Sequence, residues 1–229
     1  MRRTVWRVTG RITAADLTDL GLTDWRVLRR EVEANFEAGT YAAAGRFVAD
    51  VAALCDELDH HAAVDLRYPG LVHVVSTTHW LDALTDRDVT LARAVSALAA
   101  QQGLKSTPRD SMQLEVAIDA VDIDAVVPFW RTVLGYVPEH ADDGAAVRGL
   151  IDPEGIEPSV WFQQMEEPRR GRNRVHLDVH VPHDVAEERV AAAVAAGGRL
   201  VSADAAPSFW VLADAEGNEA CLCTWQDQA

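Results

Sequence analysis

The chain has 229 residues and a formal net charge of −15, with 48% hydrophobic residues. That is enough apolar material for one large or two ordinary domains. The acidic balance excludes a phosphate-reading surface, which needs clustered Lys and Arg, and disfavours anionic membranes, so nucleic-acid and membrane partners are not expected. Three cysteines, Cys55, Cys221 and Cys223, form no C-x-x-C pair and suggest reduced thiols in a cytoplasmic protein.

In chain order, Val5–Thr9 predicts a short strand, and Thr13 a cap for a helix running to Leu20. Trp25–Leu28 and Val32–Phe36 read as strands, with Val32, Ala34 and Phe36 alternating toward one face. Thr40 caps a longer helix in which Phe47, Val51, Leu54 and Leu58 recur at helical spacing, and which stops near His60. Val64–Arg67 and Leu71–Thr78 form a strand pair around Pro69-Gly70. Thr85-x-x-Asp88 is a capping-box-like start for a helix that ends near Gly103. The expectation for residues 1–104 is an α+β domain: a four-stranded antiparallel sheet with helices on one face.

Residues 105–110 read as a linker, and the character changes after them. In residues 111–229, strand, helix and Gly-turn signals occur twice. Glu115 and His176 are offset by 61, while Gly135–Gly197 and Asp152–Asp214 are each offset by 62. Three agreeing landmarks predict two βαβββ modules around a pocket.

The chemistry concentrates in two stretches. Asp56, His60-His61 and His79 bring three imidazoles and a carboxylate to the ends of a helix and a strand. Imidazole titrates near neutral pH, so such a set can donate and accept protons. The bland alternative is that these residues only close a helix and a turn. Trp25 and Tyr68 suit a core as well as a stacking surface, and Asp88 suits a helix cap. In the second half, Glu115, Gln163, His176, Glu219 and Cys221 are the polar pocket candidates. Glu115 and His176 are weak metal candidates. A complete hard-ligand set is missing, so no metal and no cofactor is expected, although a divalent ion in this half stays open. Asp178 and His180 alternate with His176 along one strand.

The run Asp56, His60-His61, Tyr68, Thr78-His79 and Thr85-Asp86-Arg87-Asp88 resembles the pterin-4a-carbinolamine dehydratases over roughly residues 12–103. That resemblance implies dehydration of a 4a-hydroxytetrahydropterin to the quinonoid dihydropterin. It implies His61 and His79 as proton-transfer groups, with His60 binding or orienting the pterin. Asp56 would orient His60, and Arg87, Trp80 and Trp25 would contribute to substrate binding. The chain departs from the family pattern at Ala62, where proline is usual, and at Trp80, where an acid is usual. These departures keep open a non-catalytic protein that binds a small aromatic ligand.

From about residue 112 to 225 the chain resembles the glyoxalase-like, vicinal-oxygen-chelate group. The carriers are Phe129-Trp130 with Leu134-Gly135-Tyr136, Phe162-Gln163, Asn173 through Asp178, and Asp214 through Glu219. It implies the paired-module fold and an unknown small molecule, with lyase, isomerase or dioxygenase chemistry as a further alternative. Self-association into a homo-oligomer is left open.

Overall fold

The computed structural model describes residues 21–81, 83–139, 146–169, 171 and 174–226. The expected strand Val5–Thr9 and the helix from Thr13 lie outside the described residues. The chain separates into two compact units, Met1–Gln113 and Leu114–Ala229.

The first unit contains β1 (Trp25–Leu28), β2 (Glu31–Glu37), α1 (Tyr41–Leu58), β3 (Ala63–Arg67), β4 (Leu71–Ser76), a 3-10 turn (His79–Leu81), α2 (Asp86–Gln101) and β5 (Lys105–Ser106). The sheet order is β1-β2-β4-β3, antiparallel throughout. The stretch expected as a linker contributes a strand of its own. β5 pairs Ser106 with Phe36 and Lys105 with Glu37, extending the β2 edge that β1 uses nearer its start.

Period-2 alternation sends Val32, Ala34 and Phe36 of β2 into the core, where they meet Val72 and Val74 of β4. α1 covers this face with Ala44, Phe47, Val51 and Cys55, and α2 with Val89, Ala92, Val95 and Ala99. Phe36 meets Phe47 edge-on at 5.5 Å and Trp25 at 6.4 Å.

Both helix starts are capped as the sequence predicts. The Thr40 side chain accepts from the Ala43 N–H, and Thr85 and Asp88 form a complete capping box. The strand expected to run to Thr78 stops at Ser76, because the Thr77 and Thr78 side chains turn to other partners: Thr77 Oγ1 donates to the Arg30 carbonyl, and Thr78 Oγ1 to Asp88.

The second unit repeats one pattern twice. The first module is β6 (Glu115–Ala120), α3 (Ile123–Leu134), β7 (Val137–Pro138), β8 (Gly149–Ile151) and β9 (Ser159–Gln164). The second is β10 (Leu177–His180), α4 (Ala186–Ala195), β11 (Arg199–Ser202), β12 (Phe209–Ala213) and β13 (Glu219–Cys223). Their sheet orders, β6-β9-β8-β7 and β10-β13-β12-β11, match strand for strand, and in each the first strand lies parallel to the last. The repeat extends to the turns. Asp152 accepts from the N–H groups of Glu154, Ile156 and Glu157, and Asp214 from those of Glu216 and Asn218. Gly155 and Gly217 close these turns at φ 67° and 86°.

The modules share one core and are tied by side chains. Trp130 of α3 donates its indole N–H to Asp214 at 2.9 Å. The Glu216 carboxylate accepts from the N–H groups of Val121 and Asp122, satisfying orphan donors at the start of α3.

Candidate functional site

In the first unit the site is built on the end of α1. Asp59 closes the helix in the left-handed region at φ 49°, ψ 40°, and the His60 N–H reaches back to the Cys55 carbonyl. The tight exit sends the two adjacent histidines opposite ways: His60 is 4% exposed, whereas the His61 side chain is 63% exposed.

His60 Nε2 lies 2.8 Å from Asp88 Oδ1. The same oxygen accepts from Ser76 Oγ at 2.7 Å, and Asp88 Oδ2 accepts from Thr78 Oγ1 at 2.7 Å and the Thr85 N–H at 2.8 Å. Asp88 is 1% exposed. Burial pushes its carboxyl pKa up, but hydrogen bonds from Ser76, Thr78, His60 and the Thr85 backbone outweigh that and hold it below the usual carboxylate range. Asp88 is therefore more than a helix cap. It joins the end of α1, the end of β4 and the start of α2.

Two sequence-based assignments change as a result. Asp56 was expected to orient His60; it lies instead 3.0 Å from His61 Nε2, and Asp88 takes the His60 ring. The reason is the left-handed turn at Asp59, which breaks the helical spacing on which the Asp56–His60 pairing rests. Trp25, expected to help bind substrate, is 2% exposed and donates its indole N–H to Ser96, so it is a core residue.

His79 and Trp80 open the 3-10 turn and are both exposed. Arg87 lies 5.1 Å over the Trp80 ring and also bonds the Asp59 carbonyl oxygen and, at 3.1 Å, its carboxylate. The exposed groups His61, His79 and Trp80 are thus held by buried or bonded neighbours. His61 follows His60, His79 follows Thr78, and both anchors bond the one Asp88 carboxylate.

In the second unit a concavity of about 840 Å³ is lined by Asp119, Arg169, Arg174, His176, Glu216 and Glu219, among others. Of the five expected pocket residues, His176 and Glu219 line it. Glu115 instead accepts from Ser159 at 3.2 Å, and Gln163 bonds the adjacent Gln164 carbonyl; neither lines the concavity. Cys221 sits beside His176, its Sγ 3.7 Å from Nδ1. Asp178 approaches the same nitrogen at 2.9 Å. Burial pushes the Cys221 thiol up to about 12, helped by the hydrogen bond and charge of Asp178 and by Cys223 and Glu219.

The ligating atoms of His176, Asp178 and Cys221 lie within 4.8 Å of one another. Imidazole nitrogen, carboxylate oxygen and thiolate sulfur suit a zinc-like ion better than magnesium or calcium. The donors that converge are therefore not the Glu115–His176 pair raised by the sequence. That pair omits Asp178 and Cys221; the two-residue spacing of Asp178 from His176 was the available signal for the first.

Comparison with known proteins follows the same division. The family model for pterin 4 alpha carbinolamine dehydratase matches residues 9–98, and that for a glyoxalase-like domain matches residues 115–223. A Chloroflexus aurantiacus protein provisionally named pterin-4-alpha-carbinolamine dehydratase is 35% identical over 75 residues, which is 33% of this chain and 80% of that one. A Streptomyces coelicolor protein with the same provisional name is 35% identical over 82 residues, 36% of this chain and 81% of its own length. The chain belongs to the pterin-4a-carbinolamine dehydratase family through its first unit.

Among solved structures, the Brucella melitensis transcriptional coactivator/pterin dehydratase is 26% identical, with a TM-score of 0.37, covering 39% of this chain and 99% of its own. A Burkholderia phytofirmans glyoxalase/bleomycin resistance protein/dioxygenase family enzyme is 21% identical, with a TM-score of 0.38, covering 48% of this chain and 95% of its own. Among the described residues no helix is long and apolar enough to cross a membrane.

Proposed function

We propose that the first unit dehydrates a 4a-hydroxytetrahydropterin to the quinonoid dihydropterin. In this reaction the C4a–O bond breaks, the hydroxyl takes a proton and leaves as water, and N5 gives up its proton as the N5=C4a double bond forms. One imidazole donates to the departing oxygen and another accepts from N5; His61 and His79 are the exposed pair for these roles. Asp56 orients His61 through Nε2. His60 is a positioning residue, because its buried ring is bonded to Asp88. Trp80 offers a partly exposed aromatic face, with Arg87 behind it. The observation that carries the reading is the shared Asp88 carboxylate, which anchors the chain neighbours of both exposed histidines.

The test is turnover of freshly generated 4a-hydroxytetrahydropterin, followed optically. The wild type is expected to exceed the buffer rate, and His61→Ala or His79→Ala to lose about 10²-fold or more of the gain. A wild type that merely matches buffer sinks the reading.

A second reading places the main chemistry in the glyoxalase-like unit. The convergence of His176, Asp178 and Cys221 favours it. A divalent ion held there would supply Lewis-acid polarisation of a bound oxygen. Cys221 would give up its thiol proton on binding, and Arg169 and Arg174 would orient an anionic group in the concavity. Stoichiometric zinc in protein purified without chelator, lost in Cys221→Ser, supports this reading. Metal-free protein that takes up no added zinc counts against it.

A further inference from the structure

The outer face of the first unit's sheet carries chemistry that the dehydratase reading does not use. Glu33 and Asn35 alternate with the core residues of β2 and so point away from the helices. Glu33 is nevertheless 1% exposed. His73 donates from Nε2 to Glu33 Oε2 at 2.7 Å, and its Nδ1 lies 3.9 Å from Asp65. The other carboxylate oxygen, Glu33 Oε1, is buried and meets no donor among the described residues.

The segment after β5 lies against this face. Asn35 donates to Ser111 Oγ at 3.0 Å, and Gln113 donates to Glu31 at 2.7 Å. A concavity of about 360 Å³ is lined by Glu33, Asn35, His73 and Asp110, with Leu71 and Met112 as its apolar walls. Leu71 is 43% and Met112 81% exposed, so both present uncovered apolar surface. Arg67 also lines it, but its guanidinium lies 4.0 Å from the Asp65 carboxylate, which offsets its charge.

We propose that this concavity is a second ligand site, which binds a small organic cation through a primary ammonium group. A buried acceptor without a donor is costly and rare, so Glu33 Oε1 marks the place of a missing N–H. Only one oxygen of Glu33 lacks a partner, because His73 holds the other. That matches a single-point ammonium rather than the two-pronged fork of a guanidinium. Asp110 supplies a second negative charge at the same opening, and Leu71 and Met112 take the aliphatic stem. The Asn35–Ser111 and Gln113–Glu31 hydrogen bonds tie the far wall to the sheet before ligand arrives.

The test is calorimetric titration of the full chain with n-hexylammonium, and with n-hexanol as its neutral counterpart. Salt at roughly 0.15 M screens diffuse attraction to the acidic surface. Saturable one-to-one binding of the ammonium and none of the alcohol is expected. Glu33→Gln should weaken it about tenfold or more, a loss of about 1.4 kcal/mol. Met112→Ala, at an exposed position that leaves the fold intact, should weaken it about threefold and decides the matter if Glu33→Gln does not fold. No saturable binding, equal binding of the alcohol, or unchanged affinity in Met112→Ala overturns the proposal. The readout is independent of pterin turnover, so it stands or falls separately from the dehydratase reading.

Discussion

Asp88 decides the local structure of the first site, and its chemistry predicts an acid limb. Its folded pKa is held below the ordinary carboxylate value of about 4. A depressed pKa contributes stability that is present above the unfolded pKa and is lost as pH falls through the folded one. Asp88→Asn keeps the shape but removes the charge and leaves the converging donors mismatched. It is expected to cost about 2–3 kcal/mol at pH 7 and to flatten the fall in stability below about pH 4. Urea midpoints of the two proteins across pH 2–7 measure both effects, and parallel curves would show that the carboxylate is not the group responsible. At this scale residue types were legible in the sequence, but partners were not. Asp56, His60, His61 and Asp88 are all conspicuous, yet spacing pairs Asp56 with His60. Only the left-handed residue Asp59 reveals that His60 turns inward to Asp88 and leaves His61 to Asp56. Likewise Glu33 and His73 belong to no sequence motif, and they meet only because the register sets Glu33 opposite Val75 and Asn35 opposite His73.

Elements were read more securely because burial periodicity acts over many residues. The stripe Phe47, Val51, Leu54 and Leu58 predicts α1, although Cys55 is the member buried with Phe47 and Val51 while Leu54 and Leu58 are half-buried, and Thr40 and Thr85 specify starts through their side-chain oxygens. Short edge strands carry too few residues for such a signal, and β5 and β7, with two residues each, exist only through their partners. The strand β10 also begins later than alternation suggests: Val175 and His176 lie before Leu177, where pairing with Ala220 of β13 begins. β13 is buried along its whole length and places Cys221 and Cys223 on one face. Burial raises both thiols, Cys221 to about 12, so the folded chain keeps their protons while an unfolded thiol loses its proton near 8.5. The folded state then binds more protons, and stability falls as pH rises above about 8.5. Denaturation midpoints at pH 7 and pH 10 should differ more in the wild type than in Cys221→Ala. The folded thiol should also resist iodoacetamide at pH 9. Rapid alkylation under native conditions would contradict the assigned burial.

At the scale of the molecule, two separate cores explain why composition and repeats were informative while a boundary was not. The paired landmarks Asp152–Asp214 and Gly135–Gly197 announce two modules because each performs the same turn chemistry twice. The stretch after Gly103 looks like a linker because it carries Ser, Thr and Pro and no apolar pattern, but its backbone and side chains belong to the first unit. Ser106 and Lys105 pair with β2, Thr107 N–H donates to the Asn35 carbonyl at 2.9 Å, and Ser111 and Gln113 bond Asn35 and Glu31. A first unit cut at Gly103 therefore loses an edge strand and several long-range hydrogen bonds. At about 1 kcal/mol net for each bond, the loss is about 3 kcal/mol. For a unit of this size that lowers the melting temperature by roughly 10 °C or more relative to a chain ending at Gln113. Both should retain pterin turnover where they remain folded, because the Asp88 network lies wholly before Gly103. Equal melting temperatures would return residues 104–113 to the status of a connection. They would also remove the wall on which the ammonium site depends.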